Sequence, residues 1–422
     1  MLYKLAWQSL LHRRTTALLT IFSIAIGMMI MLSIHHIQQQ TKQGFTNTLS
    51  ETDLIVGARS GPINLLLYSV FRIGSASNNI SWDSYKTIKR HKNVRWTIPL
   101  SLGDSHQGYR VIGTSEDYFT YYRYGQKQAL AFAEGQPFSG VYDAVLGAEV
   151  AKKLGYTLDQ KIVLSHGVAK VSFTHHDDKP FTVVGILAPT GTPVDQSIHI
   201  SLAGMEAIHI DWQRGVPVAG IGSGLKISAE EALTKDLTPK NITAFLVGLD
   251  NKMMTFRLQR AINDYSKEAL MAVLPGVVLS ELWQIMGGVE KALAFIALLV
   301  IVASLLGMVT MMLSTLQQRQ RELAVLRAIG APPWFMFCLI QLEVLLLTLA
   351  GLIAGTLLLW LGMLVAQPII QDNYGLLIES NPISYTNLLY GSGILGIALL
   401  MACIPAFAAY RQSLGQGLTA RA

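Results

Sequence analysis

Four long apolar runs constrain this chain more than any other feature. The first, from Thr15 to Ile34, reads TTALLTIFSIAIGMMIMLSI and carries no charge. A helix of that length crosses a hydrocarbon layer of ~30 Å. A cleaved signal peptide would have a shorter apolar region, of about 7–15 residues, followed by a small-x-small site. Here the run ends in His35, His36 and Gln38–Gln40. It therefore reads as a retained span, TM1 at 15–35. Further spans are expected at 292–318, 335–365 and 385–410. Only 14% of residues are charged, against about 25% in soluble domains, and mean hydropathy is positive. The two cysteines, Cys338 and Cys403, lie within apolar runs, so no disulfide framework is expected.

Between the first two spans, residues 36–288 hold most of the acidic residues and no spanning run. Their pattern predicts a large α+β domain with its own core. Strands are expected at Asp53–Ala58, Val94–Leu102, Ala144–Leu146, Lys161–Ser165, Lys170–Thr174, Phe181–Leu187, Ser197–Leu202 and Asn241–Leu249. In Ser197–Leu202, alternation puts Ile198, Ile200 and Leu202 on one face and His199 on the other. Helices are expected at Ser84–His91, Ala148–Leu154 and from Lys252 to about Met271. Leu274–Lys291 reads as a strand or stalk returning to the membrane. Residues 1–14 form an amphipathic prelude suited to the membrane interface, with Leu2, Leu5, Ala6, Ser9 and Leu10 at helical spacing.

The segment RQRELAVLRAIGAPPW, Arg319 to Trp334, separates the second and third spans. Charge is costly in lipid, so a charged helix here belongs at the surface, within reach of a soluble partner. Gly330, Pro332 and Pro333 stop it. As a helix it puts Leu323, Leu326 and Ile329 on one side, together with Arg319 and Glu322. This mixed face suits a protein socket better than lipid.

The run RQRELAVLRAIGA resembles the cytoplasmic coupling segment of MacB/FtsX/LolCE-type (type VII, mechanotransmission) ABC transporter permeases. The phrases VLGAEVAKKLGYTLDQKIVL and FTVVGILAPTGTPVDQSIHISL resemble the MacB-type periplasmic domain. Pro405 and Ala406 followed by Arg411 resemble the family's closing pattern. The resemblance implies four transmembrane α-helices with the α+β domain inserted, outside the cytoplasm, between spans 1 and 2. It implies a non-catalytic subunit pairing with a second permease subunit, identical or not, and with a separate cytoplasmic ABC ATPase that carries ATP and Mg. This chain has no G-x-x-x-x-G-K-[ST] phosphate loop. The expected ATPase-coupling residues are Arg319, Arg321, Glu322, Leu326, Arg327, Gly330, Ala331 and Pro332. A periplasmic adaptor, lipoprotein or enzyme is a further expected partner, and nucleic acid is not. Export or extraction of a substrate from the periplasm or outer leaflet is the leading expectation. An FtsX-like switch of a periplasmic enzyme and a membrane-anchored sensor are the alternatives.

Lys and Arg favour cytoplasmic flanks. Lys4, Arg13, Arg14, the coupling arginines and the tail (411–422) are basic, whereas the 366–384 loop has no Lys or Arg. Both termini are thus expected in the cytoplasm of a bacterial inner-membrane protein.

Four features remain open on sequence. Gly351 and Gly355 form a G-x-x-x-G pair that would allow close helix packing within or between subunits. Glu343, near the start of span 3, reads as a structural carboxylate near the surface or as a functional one. The apolar stretch within Gly61–Gly74 reads as a core helix or as an interfacial, substrate-contacting one. His166, His175, His176, Asp177 and Asp178 have the chemistry of a zinc-type site, but a polar hairpin turn explains them as well.

Overall fold

The computed structural model describes residues 2–167, 178–210, 212–213, 216–217, 228–319, 325–326, 328–374 and 384–415. The chain divides into two compact units, one of residues 1–40, 287–369 and 379–422, the other of 41–286 and 370–378.

The second unit is built on a mixed sheet. Its strands lie in the order Leu270–Val273, Leu54–Ala58, Ala244–Leu249, Val94–His106, Tyr109–Thr114, Ser197–Ser201, Asp143–Leu146, Phe181–Leu187 and Phe132–Gly135. Period-two alternation sends each strand's residues to opposite faces. Ile55, Ile98, Leu100, Ile112, Val145, Ala244 and Leu246 share one continuous core. The opposite face carries two separate cores. Leu54, Val56, Phe245, Val247 and Ala272 build one; Val111, Ala144, Leu146, Ile198, Ile200 and Val183 build the other.

The helix Pro62–Ser69 lies on the continuous core through Leu65, Leu66 and Tyr68. Gly57 permits that approach, since a Cβ there would lie 2.6 Å from Leu65 and 2.7 Å from the Tyr68 hydroxyl. Within the Gly61–Gly74 stretch, Pro62–Ser69 is thus a core helix, while Ile73 beyond it is exposed. The same core also receives the ends of two apolar helices. Phe45, near the end of Arg14–Thr48, meets Phe71 at 4.3 Å and Trp283 of Pro275–Gln318 at 5.6 Å between ring centroids.

Four helices among the described residues are long and apolar enough to cross a membrane: Arg14–Thr48, Pro275–Gln318, Pro333–Ile370 and Tyr385–Arg411. At ~1.5 Å per residue they exceed a ~30 Å hydrocarbon layer. In the first unit, span 1 packs on span 2 where Ser304 Oγ donates to the Ser23 carbonyl at 3.1 Å. Span 3 packs on span 4 where Gln341 Nε2 donates to the Leu399 carbonyl at 3.3 Å. The helix Leu2–His12 turns Leu2, Leu5, Ala6, Ser9 and Leu10 to its covered side and leaves Tyr3 and Trp7 exposed.

Several sequence expectations shift. The helix expected to reach Met271 ends at Asn263, and Leu270–Val273 is the strand at the edge of the sheet, paired antiparallel with Leu54–Ala58. The expected stalk at 274–291 is helix, opened by Pro275 at its first turn, where a missing N–H costs nothing. Leu202 begins the helix Leu202–His209 rather than extending its strand, because Ser201 caps that helix by accepting from the Gly204 N–H. The expected strand Asn241–Leu249 divides into Asn241–Ile242 and Ala244–Leu249. The third apolar helix continues to Tyr374, into the stretch read as a loop. Lys170–Thr174 lies outside the described residues.

Candidate functional site

The site is the end of the helix bundle that carries the charged segment. The helix Pro275–Gln318 ends as the Arg319 N–H bonds the Thr315 and Leu316 carbonyls at 3.1 and 3.2 Å. The next described turn closes at Gly330, whose φ of +97° is a left-handed conformation that favours glycine. The Ala331 N–H reaches back to the Leu326 carbonyl at 3.1 Å, the six-to-one bond of a Schellman stop. Pro333 then opens the next helix. The expected stop therefore has a defined geometry.

Leu326 and Ala331 pack on a small core of Leu316, Met336, Ile340, Ala406 and Ala409, contributed by spans 2, 3 and 4. Ile329, expected on the same side as Leu326, is 75% exposed. Leu326 is thus the segment's inward anchor, while Ile329 and Val325 face outward. Arg321, Glu322 and Arg327 lie outside the described residues.

Arg319 departs from the sequence reading. It is 8% exposed, and its Nη1 donates to Oε1 of Glu343 at 2.9 Å. Glu343 is 2% exposed. The guanidinium of Arg319, expected among the ATPase-coupling residues, is turned inward, where charge and hydrogen bond together hold it beside the carboxylate. Glu343 is an interhelical partner rather than a surface carboxylate. Periodicity missed this, because the two residues lie on different helices; the signal available was a lone carboxylate within one apolar run and an arginine at the end of another.

Gly351 and Gly355 pack within the subunit. A Cβ on Gly351 would lie 2.6 Å from Ile24, and one on Gly355 would lie 2.7 Å from the Ala25 carbonyl. The small face of span 3 is therefore occupied by span 1.

In the sheet domain, His175, His176, Asp177 and the His166 side chain lie outside the described residues. Asp178 lies 3.4 Å from the Lys179 ammonium. Among the described residues no cluster of His, Cys, Asp or Glu could hold a metal ion. A charged pair does tie helix to sheet: His209 Nε2 lies 3.4 Å from Asp104 Oδ2, and its Nδ1 lies 2.8 Å from the Met205 carbonyl. Burial pulls the His209 imidazole down, but bonding to Asp104, the Asp104 charge and the Met205 carbonyl outweigh it and leave its pKa raised.

These features define a polytopic membrane protein with a sheet domain between its first two spans and a capped, partly anchored charged segment between the next two. The description MacB-like periplasmic core domain matches residues 17–238, and FtsX-like permease C-terminal matches residues 294–414. The chain belongs to the MacB/FtsX-like family of ABC transporter permeases. The periplasmic region of MacB from Actinobacillus actinomycetemcomitans is similar at 9% identity, over 56% of this chain and 94% of that one, with a TM-score of 0.34. The extracellular domain of the noncanonic ABC-type transporter YknZ from Gram-positive bacteria is similar at 11% identity, over 52% and 98%, with a TM-score of 0.30. No curated protein matches the chain.

Proposed function

We propose that this ABC transporter permease passes an ATP-driven change from a separate cytoplasmic ATPase, through the segment 319–334, to its periplasmic sheet domain. The observation that carries the reading is the anchoring of that segment. Leu326 and Ala331 seat it on spans 2, 3 and 4, and Arg319–Glu343 joins spans 2 and 3 beside it. A force applied to an anchored, capped segment moves the helices that hold it, rather than only a free loop. Spans 1 and 2 continue as unbroken helix to Phe45 and from Trp283, both packed at the domain's continuous core. A shift of this kind requires that the ATPase bind the two arrangements with different affinity.

In this reading both termini are cytoplasmic, the active unit contains two permease subunits, and ATP and Mg reside on the ATPase. The work done is export or extraction of a substrate from the periplasm or outer leaflet. The contact with the ATPase falls to Arg321, Glu322 and Arg327, with Gly330 and Pro332 shaping the turn. Arg319 acts from inside, as the segment's tether. Glu322→Lys reverses charge in the contact. The complex should still insert and co-purify in part, while permease-stimulated ATP turnover falls at least tenfold. Unchanged stimulated turnover in purified complex would refute the assignment.

A further inference from the structure

Between Asp83 and Asp104 the chain carries Lys86, Lys89, Arg90, Lys92 and Arg95 and no acidic residue. Lys86 and Lys89 lie in the helix Trp82–Lys89, and Arg90 ends it. Ser81 caps that helix by accepting from the Ser84 N–H, and Glu268 in turn accepts from the Ser81 N–H at 2.9 Å. Tyr85 and Ile88 bury its other side in one of the sheet's cores. The basic side therefore has a fixed place on the domain. Cations in a last turn complement the negative end of a helix dipole, which accounts for Lys86, Lys89 and Arg90 but not for Lys92 and Arg95. Lys86 lies 2.8 Å from Asp83, and Lys89 lies 4.0 Å from Asp117. Arg90, Lys92 and Arg95 are exposed, and none of them enters a salt bridge among the described residues.

These cations adjoin a hollow. A cavity of about 450 Å³ is walled by Trp82, Tyr85, Pro99 and Leu202 together with Lys86, Lys89 and Arg90. Trp82 and Tyr85 stack at 4.6 Å between centroids. The Tyr85 hydroxyl shares a 2.9 Å hydrogen bond with the Thr97 hydroxyl, so the aromatic wall is held in place. Lys89 Nζ lies 6.0 Å from the centre of the Tyr85 ring, within the range of a cation–π contact. Concave sites of ~300–1,000 Å³ that join apolar walls to a few charged groups are the usual form of a binding pocket. A second cavity, of about 410 Å³, shares Ser115 and Leu202 with the first and carries Glu116 and Asp117. Glu116 is exposed, and its charge repels an anion. A negatively charged occupant is thereby directed over Arg90 and away from Glu116.

We propose that this hollow and the cations beside it dock an acidic segment of a partner protein, with an apolar side chain of that segment seated against Trp82, Pro99 and Leu202. Charge complementarity sets the sign of the partner. The cavity sets its kind, since a bare anion would use the cations and leave the aromatic wall without a role. The Arg90 guanidinium presents paired donors to a carboxylate. Exposed charge pairs alone contribute little, and an apolar anchor in a pocket supplies the affinity that they lack. The surface uses no residue of the segment 319–334, so it stands or falls apart from the coupling to an ATPase.

The test uses the full chain in phosphatidylcholine nanodiscs and reads the fluorescence anisotropy of a dye-labelled peptide. The probe is a short peptide of glutamate and aspartate with one central phenylalanine. One control peptide has alanine in place of the phenylalanine, and the other has lysine in place of the acids. Wild type should bind the probe more tightly than either control, and less tightly as salt is raised. Arg90→Glu should weaken binding by roughly tenfold or more, as expected for loss of a hydrogen bond to a charged group. Glu116→Gln should tighten it. Thermal unfolding checks each variant, and Lys92→Glu replaces Arg90→Glu if the latter is less stable than wild type. Phosphatidylglycerol vesicles serve as a second probe. A wild type that does not bind the peptide, a charge-reversal variant that binds it equally, or an alanine control that binds as well as the probe overturns the docking surface. Vesicles captured in place of the peptide would assign the patch to an anionic lipid surface and overturn it too.

Discussion

Arg319 and Glu343 are each buried beside the charged segment 319–334, at 8% and 2% exposure. Removing one partner of a buried ion pair strands the other, which typically costs about 3–5 kcal/mol, whereas replacing both by apolar groups is often neutral or stabilising. Glu343→Ala should therefore lower the unfolding temperature of the solubilised protein sharply, and Arg319→Met with Glu343→Met should recover most of the loss. If the double variant is no more stable than the single one, the pair is not the source. Asp104 and His209 make a second residue-scale case, governed by pH. The folded-state pKa of His209 is raised above an unfolded value of about 6.5. Protonated His209 then contributes its full stabilisation below that unfolded value, and the contribution fades as pH rises through the raised folded value. Chemical denaturation across that window should show this loss, and Asp104→Asn should flatten it. An unchanged slope in Asp104→Asn would assign the pH dependence to another group.

At the scale of elements, span 3 meets span 1 through a glycine face. Gly351→Leu puts carbon where Ile24 already lies, since even a Cβ would come within 2.6 Å of it. Gly362, on the same helix, has nothing within 4 Å of a Cβ. Gly351→Leu should lower the bundle's unfolding temperature by several degrees while Gly362→Leu leaves it near wild type; equal effects would mean that the clash is relieved by helix movement. The comparison shows what sequence conveys about elements. The G-x-x-x-G pair was legible, but which helix filled it was not, because spacing along one helix does not name its neighbour. Phe181–Leu187 was legible to the residue because FTVVGIL is a short apolar, β-branched run; that every second residue of it is buried appears only in the fold. Leu270–Val273 was missed because four apolar residues after a helix have no period to distinguish them, and its identity comes from pairing with Leu54–Ala58 far away in the chain. The charge of the segment 319–334 and its glycine–proline stop were plain, whereas the inward turn of Arg319 depended on a carboxylate in the next helix.

The two units of the molecule are joined through continuous helix, and in Pro275–Gln318 the division falls between Met286 and Gly287. Gly287 and Gly288 stand together at that point, and neither has anything within 4 Å of a Cβ. Glycine in a helix interior is less favourable than alanine by about 1 kcal/mol, and here no close contact requires its small size. The pair is thus a locally weak stretch in an element that the proposed mechanism uses to carry motion. Replacing both by alanine removes the weakness without a clash, so the unfolding temperature should hold or rise. If the weakness serves as a flexing point between the cytoplasmic push and the periplasmic response, the same change should slow coupled turnover several-fold in the complex with its ATPase. Stability and activity then move in opposite directions, which a misfolded variant does not produce. A Gly287→Ala, Gly288→Ala protein that is as stable as wild type and turns over at the wild-type rate would show that the helix acts as a plain rod, and that the glycines have no part in transmission.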